Sequence, residues 1–157
     1  MKSFYKASLI ALGADQVSKI LIRSLVSEGA RAAYLSPWLT IIHCSNTGAA
    51  FGLLQGRARL LIPFTILAVV IIVYMTFNYR HLALPLGFIA GGALGNAVDR
   101  ISLGFVTDFI CLPYWPAFNL ADVFITVGAV FLALMLMKSP EAIKKDYPGK
   151  KRRKAGR

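Results

Sequence analysis

The chain has 157 residues, 57% of them hydrophobic, a mean hydropathy of +0.61 and a formal net charge of +11. That balance excludes a disordered chain and argues against a soluble domain, whose surface needs more polar residues than remain here. The sequence reads as an integral membrane protein.

Four segments are long enough to span a bilayer. The first runs from about residue 5 to 26 and is the most polar, because Asp15, Gln16, Lys19 and Arg23 interrupt it. It is too long and too polar at its far end for a cleaved signal peptide. Asp15 and Lys19 stand four apart, so they can pair on one helix face. A structural ion pair and a substrate-binding role both remain open for Asp15.

An outer loop follows, about 27–57. Pro37 and the β-branched run Leu39 to His43 predict a short strand, with "SNTG" as a turn after it. Tyr34 and Trp38 suit the headgroup level, as do Tyr114 and Trp115 further on. The second helix, about 58–77, tolerates Pro63 as membrane helices do. The short turn "NYRH" then makes helices two and three an antiparallel hairpin. Helix three, about 82–98, carries Gly87, Gly91 and Gly95 at four-residue spacing, a stripe that admits another helix or a substrate chain close to the backbone. A second outer loop, about 99–117, leads to helix four, about 118–137. Asn119 as N-cap with Asp122 three residues on resembles a capping box at its start.

Placing both termini in the cytoplasm puts Lys2, Lys6, Arg80 and the nine basic residues from Lys138 to Arg157 inside, as the positive-inside rule requires. The tail 139–157 is then a basic, disordered cytoplasmic end that touches anionic lipid, and nucleic acid is not an expected partner. Cys44 and Cys111 fall on the outer side; a disulfide and two packed thiols are both compatible with the sequence.

Four of the seven acids, Asp15, Asp99, Asp108 and Asp122, lie in or beside membrane segments. Asp99 ends helix three, Asp108 lies in the second outer loop and Asp122 begins helix four, so these three share one depth. Asn96 is three residues from Asp99, and Asn119 three from Asp122, so each amide shares a helix face with its acid. Asp99 beside Arg100 suggests a structural or headgroup-binding pair. Asp108 and Asp122 have no basic neighbour in sequence. Two close, partly desolvated carboxylates share a proton, and such a dyad can hydrolyse a peptide: the ionised member takes a proton from water while the other donates to the carbonyl. No G-x-S-x-G or H-E-x-x-H competes. A proton- or ion-coupled transporter is the alternative reading of buried acids; a non-enzymatic lipid-binding protein is a third.

Five blocks stand in order: "DQVSK" (Asp15 to Lys19), "NTGAAFG" (Asn46 to Gly52), "GGALGNAVDR" (Gly91 to Arg100), "VTDF" (Val106 to Phe109) and "FNLAD" (Phe118 to Asp122). Over Met1 to about Lys138 the chain closely resembles the lipoprotein signal peptidase family, signal peptidase II, bacterial aspartyl membrane proteases that process prolipoproteins. The resemblance implies an all-α integral membrane fold with four transmembrane helices, a small extracytoplasmic β-platform and a short outer helical element, residues 1–138 forming the peptidase domain. It implies cleavage before a diacylglyceryl-modified cysteine, with Asp108 and Asp122 as the catalytic pair. Asp15, Lys19, Asn46, Gly48, Asn96, Asp99, Arg100 and Asn119 would bind substrate or support the site. The expected setting is the bacterial cytoplasmic membrane, with the active site near its outer face. The expected partners are diacylglyceryl prolipoproteins, membrane lipids and globomycin-type inhibitors; no metal or organic cofactor is expected. The substrate's signal helix would lie beside the glycine stripe of helix three, with Arg100 near the headgroups. "HCS" (His43 to Ser45) falls outside the family pattern and takes no role.

Overall fold

The computed structural model describes residues 1–36, 38–48 and 56–138. Its mostly helical architecture consists of four long helices, α1 (Lys2–Leu25), α2 (Leu61–Asn78), α3 (Ala83–Ser102) and α4 (Leu120–Lys138), and a small antiparallel sheet. Three stretches, Ala58–Asn78, Arg80–Ser102 and Leu120–Lys138, are long and apolar enough to cross a membrane. The α1 helix carries Lys2, Lys6, Asp15, Lys19 and Arg23 and does not meet that criterion on composition. The basic tail 139–157 and residues 49–52 of the Asn46 block lie outside the described residues. A 3-10 turn, Ala58–Leu60, leads into α2, and another, Arg80–Leu82, joins α2 to α3.

The central element is α3, packed on α1, α2 and α4. The glycines make this possible. A Cβ at Gly87 would meet the Phe4 carbonyl oxygen at 2.6 Å, and one at Gly91 would collide with the Ser8 carbonyl oxygen and lie 2.8 Å from Ala11 Cβ. A Cβ at Gly95 would collide with the Asp15 carboxylate. The stripe is therefore filled by α1, whose Phe4, Ala7, Ala11, Asp15 and Lys19 form one buried face at helical spacing. This corrects the expectation that a substrate helix lies there, since no room is left beside those glycines. On another face of α3, Gly92 accepts Ala121 of α4, whose carbonyl oxygen stands 2.5 Å from where a Cβ would be. Ser8 Oγ fixes the axial register by donating to the Gly87 carbonyl at 3.0 Å.

The sheet has the order β1 (Arg31–Ser36), β2 (Leu39–Asn46), β3 (Val106–Cys111), all antiparallel. Two sequence expectations change here. The strand expected over Leu39 to His43 runs on to Asn46. Asp108, placed in a loop by its sequence, lies in β3 opposite Cys44. Helix α3 also extends to Ser102, taking Asp99 and Arg100 into its last turns. After β3 the chain doubles back, and Phe118 pairs with Ile110 through backbone hydrogen bonds of 2.8 and 3.0 Å. That pairing delivers the start of α4 to the flank of Asp108.

The packing gives a test with an internal control. Gly91→Ala should lower the unfolding temperature in detergent, because its Cβ meets α1 backbone. Gly13→Ala, whose Cβ meets nothing within 4 Å, should be neutral or raise it by the usual helix preference of alanine, about 0.5–1 kcal/mol. Equal melting of both variants would contradict the account of the stripe.

Candidate active site

The C-terminal halves of α1 and α3 and the start of α4 meet around one buried cation. Lys19 is 0% exposed, and its Nζ lies 2.9 Å from Asp15 Oδ2 and 3.3 Å from Asp99 Oδ2. The i, i+4 pair expected within α1 is therefore present, and α3 adds a second carboxylate. The remaining valences are also used. Asp15 Oδ1 accepts the Ala121 N–H at 2.9 Å, capping the first turn of α4 from across the bundle. Asp99 Oδ2 accepts the Thr107 N–H of β3 at 3.0 Å, and Asp99 Oδ1 lies 3.5 Å from Arg23 Nη1. Buried charges persist only when paired and hydrogen-bonded in this way.

Asp99 and Arg100 do not pair. Successive residues on a helix point about 100° apart, so Asp99 turns toward α1 while Arg100 turns toward the cavity under the sheet. There Arg100 Nη1 makes only a long contact of 3.4 Å to the Asn96 carbonyl, and its buried Nε has no partner among the described residues.

Asp108 and Asp122 approach that cavity from β3 and α4. At the start of α4 the capping box is reciprocal: Asp122 N–H donates to Asn119 Oδ1 at 3.1 Å, and Asn119 N–H donates to Asp122 Oδ2 at 3.2 Å. The Asn119 side chain then reaches Asp108 Oδ1 through Nδ2 at 2.6 Å, and Asn96 Nδ2 donates to Asp122 Oδ1 at 2.9 Å. Asn46, at the end of β2, donates to Asp108 Oδ2 at 2.9 Å while its own oxygen accepts the Gly48 N–H at 3.0 Å. One asparagine thus links the two acids, and two more fix their outer oxygens.

Asp108 is 3% exposed, and burial pushes its carboxyl up to about 6; the Asn46 and Asn119 hydrogen bonds oppose that rise and the Asp122 charge adds to it. Both acids line an open cavity of about 950 Å³, with Arg100, Asn46 and Asn96 on its polar side and Val123 and Val127 of α4 among its apolar walls. Two acids sharing such a space can pass a proton between a water and a bound carbonyl. Among the described residues no three His, Cys, Asp or Glu side chains converge as metal ligands.

The cysteines are free thiols. Cys44 sits opposite Asp108, three residues along β3 from Cys111, too far along the ladder for a bridge without backbone movement. Burial holds the Cys44 thiol above its ordinary range, with Asp108, Glu28 and Cys111 adding to the effect.

All eight supporting residues expected from sequence fall in this region. Lys19, Asp15 and Asp99 form the buried cluster, and Asn46, Asn96, Asn119 and Arg100 face the acids or the cavity. Gly48 acts by its backbone. Gln16, Arg23 and Thr107 were not singled out by the sequence. Gln16 Nε2 contacts Asp15, Asp99 and the Gly95 carbonyl at 3.1 to 3.3 Å, and Arg23 Nη1 donates to Thr107 Oγ1 at 2.9 Å. Arg23 was legible in principle, since Asp15, Lys19 and Arg23 repeat every four residues. Thr107, held by contacts from two other elements, left no local signal.

Residues 7–138 match the family model described as signal peptidase (SPase) II. A lipoprotein signal peptidase of Moorella thermoacetica is 36% identical over 138 residues, covering 85% of this chain and 92% of that one. One from Enterococcus faecalis is 32% identical over 152 residues, covering 93% and 94%. A solved bacterial membrane enzyme, determined by the in meso method, superposes with a TM-score of 0.83 at 27% identity, covering 90% of this chain and 91% of that one. With the matched region spanning the helices, the sheet and the buried polar cluster alike, this chain belongs to the signal peptidase II family.

Proposed function

We propose that the chain is a membrane-embedded aspartic endopeptidase that removes signal peptides from bacterial prolipoproteins, cutting immediately before an S-diacylglyceryl cysteine. The observation that carries the catalytic assignment is the convergence of Asp108 and Asp122 on one cavity, joined by the Asn119 amide. Family membership supports the peptidase class, and the names of the relatives support the lipoprotein substrate.

In this reading the pair carries one proton. The ionised carboxylate takes a proton from water, the water oxygen bonds to the carbonyl carbon, and the protonated carboxyl donates to the carbonyl oxygen. Collapse of the tetrahedral intermediate breaks the carbon–nitrogen bond as a proton passes to the departing amine of the lipidated cysteine. The signal helix runs along the α4 wall that begins at Val123, the glycine stripe being filled. Arg100, with unused donors at the cavity, holds a polar group of the lipid-bearing end. Globomycin-type cyclic peptides would occupy the same space.

The same reading assigns a topology, which the burial of the α1 charges supports. The charges at Asp15 and Lys19 face α3 and are removed from lipid, so α1 can span as the fourth transmembrane helix with both termini in the cytoplasm. The peptidase unit is then residues 1–138, and 139–157 is a cytoplasmic basic tail.

Asp108→Asn and Asp122→Asn should each leave an inserted protein that no longer cleaves a diacylglyceryl prolipoprotein in detergent micelles. Wild-type enzyme should yield two products there without any ion gradient. Substantial cleavage by both single variants would exclude the dyad.

Asp108 also predicts a pH dependence of stability. Its folded value of about 6 lies above the ordinary 3.8, so between these the folded state binds more protons and its stability falls as pH rises, levelling off above about 6. In detergent, the wild-type unfolding temperature should decline over that window relative to Asp108→Asn. Parallel curves would show that burial does not penalise this carboxylate.

A further inference from the structure

Three asparagines aim at the acid pair, and each has interchangeable ends. Half a turn of the side chain exchanges an N–H donor for an oxygen acceptor. A carboxylate facing N–H is stabilised, whereas one facing amide oxygen is repelled. What fixes the direction is therefore part of the site.

For Asn46 the fixing group is the Gly48 backbone N–H, which can only donate. For Asn96 it is Lys19. An ammonium carries three donors and no acceptor, so its Nζ, 2.8 Å from the Asn96 side chain, meets the oxygen end. That turns the Asn96 amino group to Asp122 Oδ1. The same Asn96 oxygen accepts Asn119 Nδ2 at 3.1 Å, so Asn119 also presents its amino end inward and donates on to Asp108 Oδ1. Asn119 is also fixed from its other side, because the Asp122 backbone N–H can only donate and holds the Asn119 oxygen. A reversed Asn96 would set its amino group against the ammonium, and the Asn119 amino group against another amino group.

We propose that Lys19 is a positioning residue for the reaction: its ammonium holds the Asn96 oxygen, so that the Asn96 amino group is presented to Asp122, while the helix cap holds Asn119 toward Asp108. The proposal rests on the dyad assigned above. The charged and titratable groups facing Lys19 are Asp15 on its own helix and Asp99 from α3, the latter also met by Arg23. Those around the dyad are Lys19 from α1, Asp99 and Arg100 from α3, and Cys44 from β2. Without the ammonium the Asn96 amide loses its anchor, its N–H to Asp122 is no longer held in place, and the negative charge of the pair is less well stabilised.

The test pairs Lys19→Met with Asp15→Asn, which avoids stranding a carboxylate on α1 while Asp99 keeps Arg23. The probe is a synthetic prolipoprotein peptide bearing a diacylglyceryl cysteine, cleaved by the full chain in micelles from pH 4 to 10. Relative to Asp15→Asn alone, the double variant should keep its KM, lose roughly tenfold to a hundredfold in kcat, and show its bell-shaped profile displaced upward by about one pH unit. Lys19→Arg, which keeps the donors, should return the profile toward wild type. A lysine that serves stability alone would lower the unfolding temperature and leave the profile where it was; that result, or an unchanged kcat, overturns the proposal. Should the methionine variant not fold, Asn96→Leu, which removes the amide through which Lys19 acts, is read by the same criterion. Persistent cleavage by Asp108→Asn and Asp122→Asn would remove the dyad itself. Inactive Asn variants with an unmoved Lys19 profile would remove only the role of Lys19.

Discussion

The Lys19 ammonium, buried between Asp15 and Asp99, is the contact on which the site-bearing half of the bundle depends. Through those two acids and Asn96 it joins α1 to α3, to the first turn of α4 by way of the Ala121 N–H, and to β3 by way of the Thr107 N–H. Removing one member of such a buried set strands the others, a loss of about 3–5 kcal/mol in comparable cases. The cluster also needs the glycines. Only a residue without Cβ at 95 lets the Asp15 carboxylate sit against α3, so close packing and charge burial depend on each other here.

From that base the acids of the cavity are held by neighbours whose positions are already fixed. Asp122 closes a helix cap with one oxygen and accepts from Asn96 with the other, so capping leaves it facing the cavity. Asp108 is fixed by the β2–β3 ladder and by the return of the chain at Phe118. The site thus combines the N-terminus of α4, which favours negative charge, with a strand that buries its acid. That difference in setting suits the pair proposed for Asp108 and Asp122, in which one carboxyl keeps its proton while the other is ionised.

Much of this was legible because the signals are local and periodic. Asn119 and Asp122 announced a cap by their spacing, Asp15 and Lys19 an ion pair, and Gly87, Gly91 and Gly95 a close approach. What failed were questions of direction and partner. The glycine stripe says that something packs closely, but not that it is α1. Asp99 and Arg100 look like a pair in one dimension and diverge on a helix. Asp108 read as a loop residue because Val106 to Phe109 are all buried, without the alternation of a half-exposed strand, and because the ladder partners of Val106 to Asp108 lie 60 or more positions earlier. The amide relay has no sequence signature, since it arises only when three helices and a strand have met.

The most direct measurement is an experimental structure of the full chain with a lipopeptide whose scissile amide is replaced by a hydroxyl-bearing tetrahedral carbon. The hydroxyl should lie within hydrogen-bond distance, about 2.5–3.0 Å, of a carboxylate oxygen of both Asp108 and Asp122, with the diacylglyceryl chains leaving the cavity toward lipid. A hydroxyl bound away from either acid, with the lipopeptide otherwise seated in the cavity, would contradict their role as a single catalytic pair.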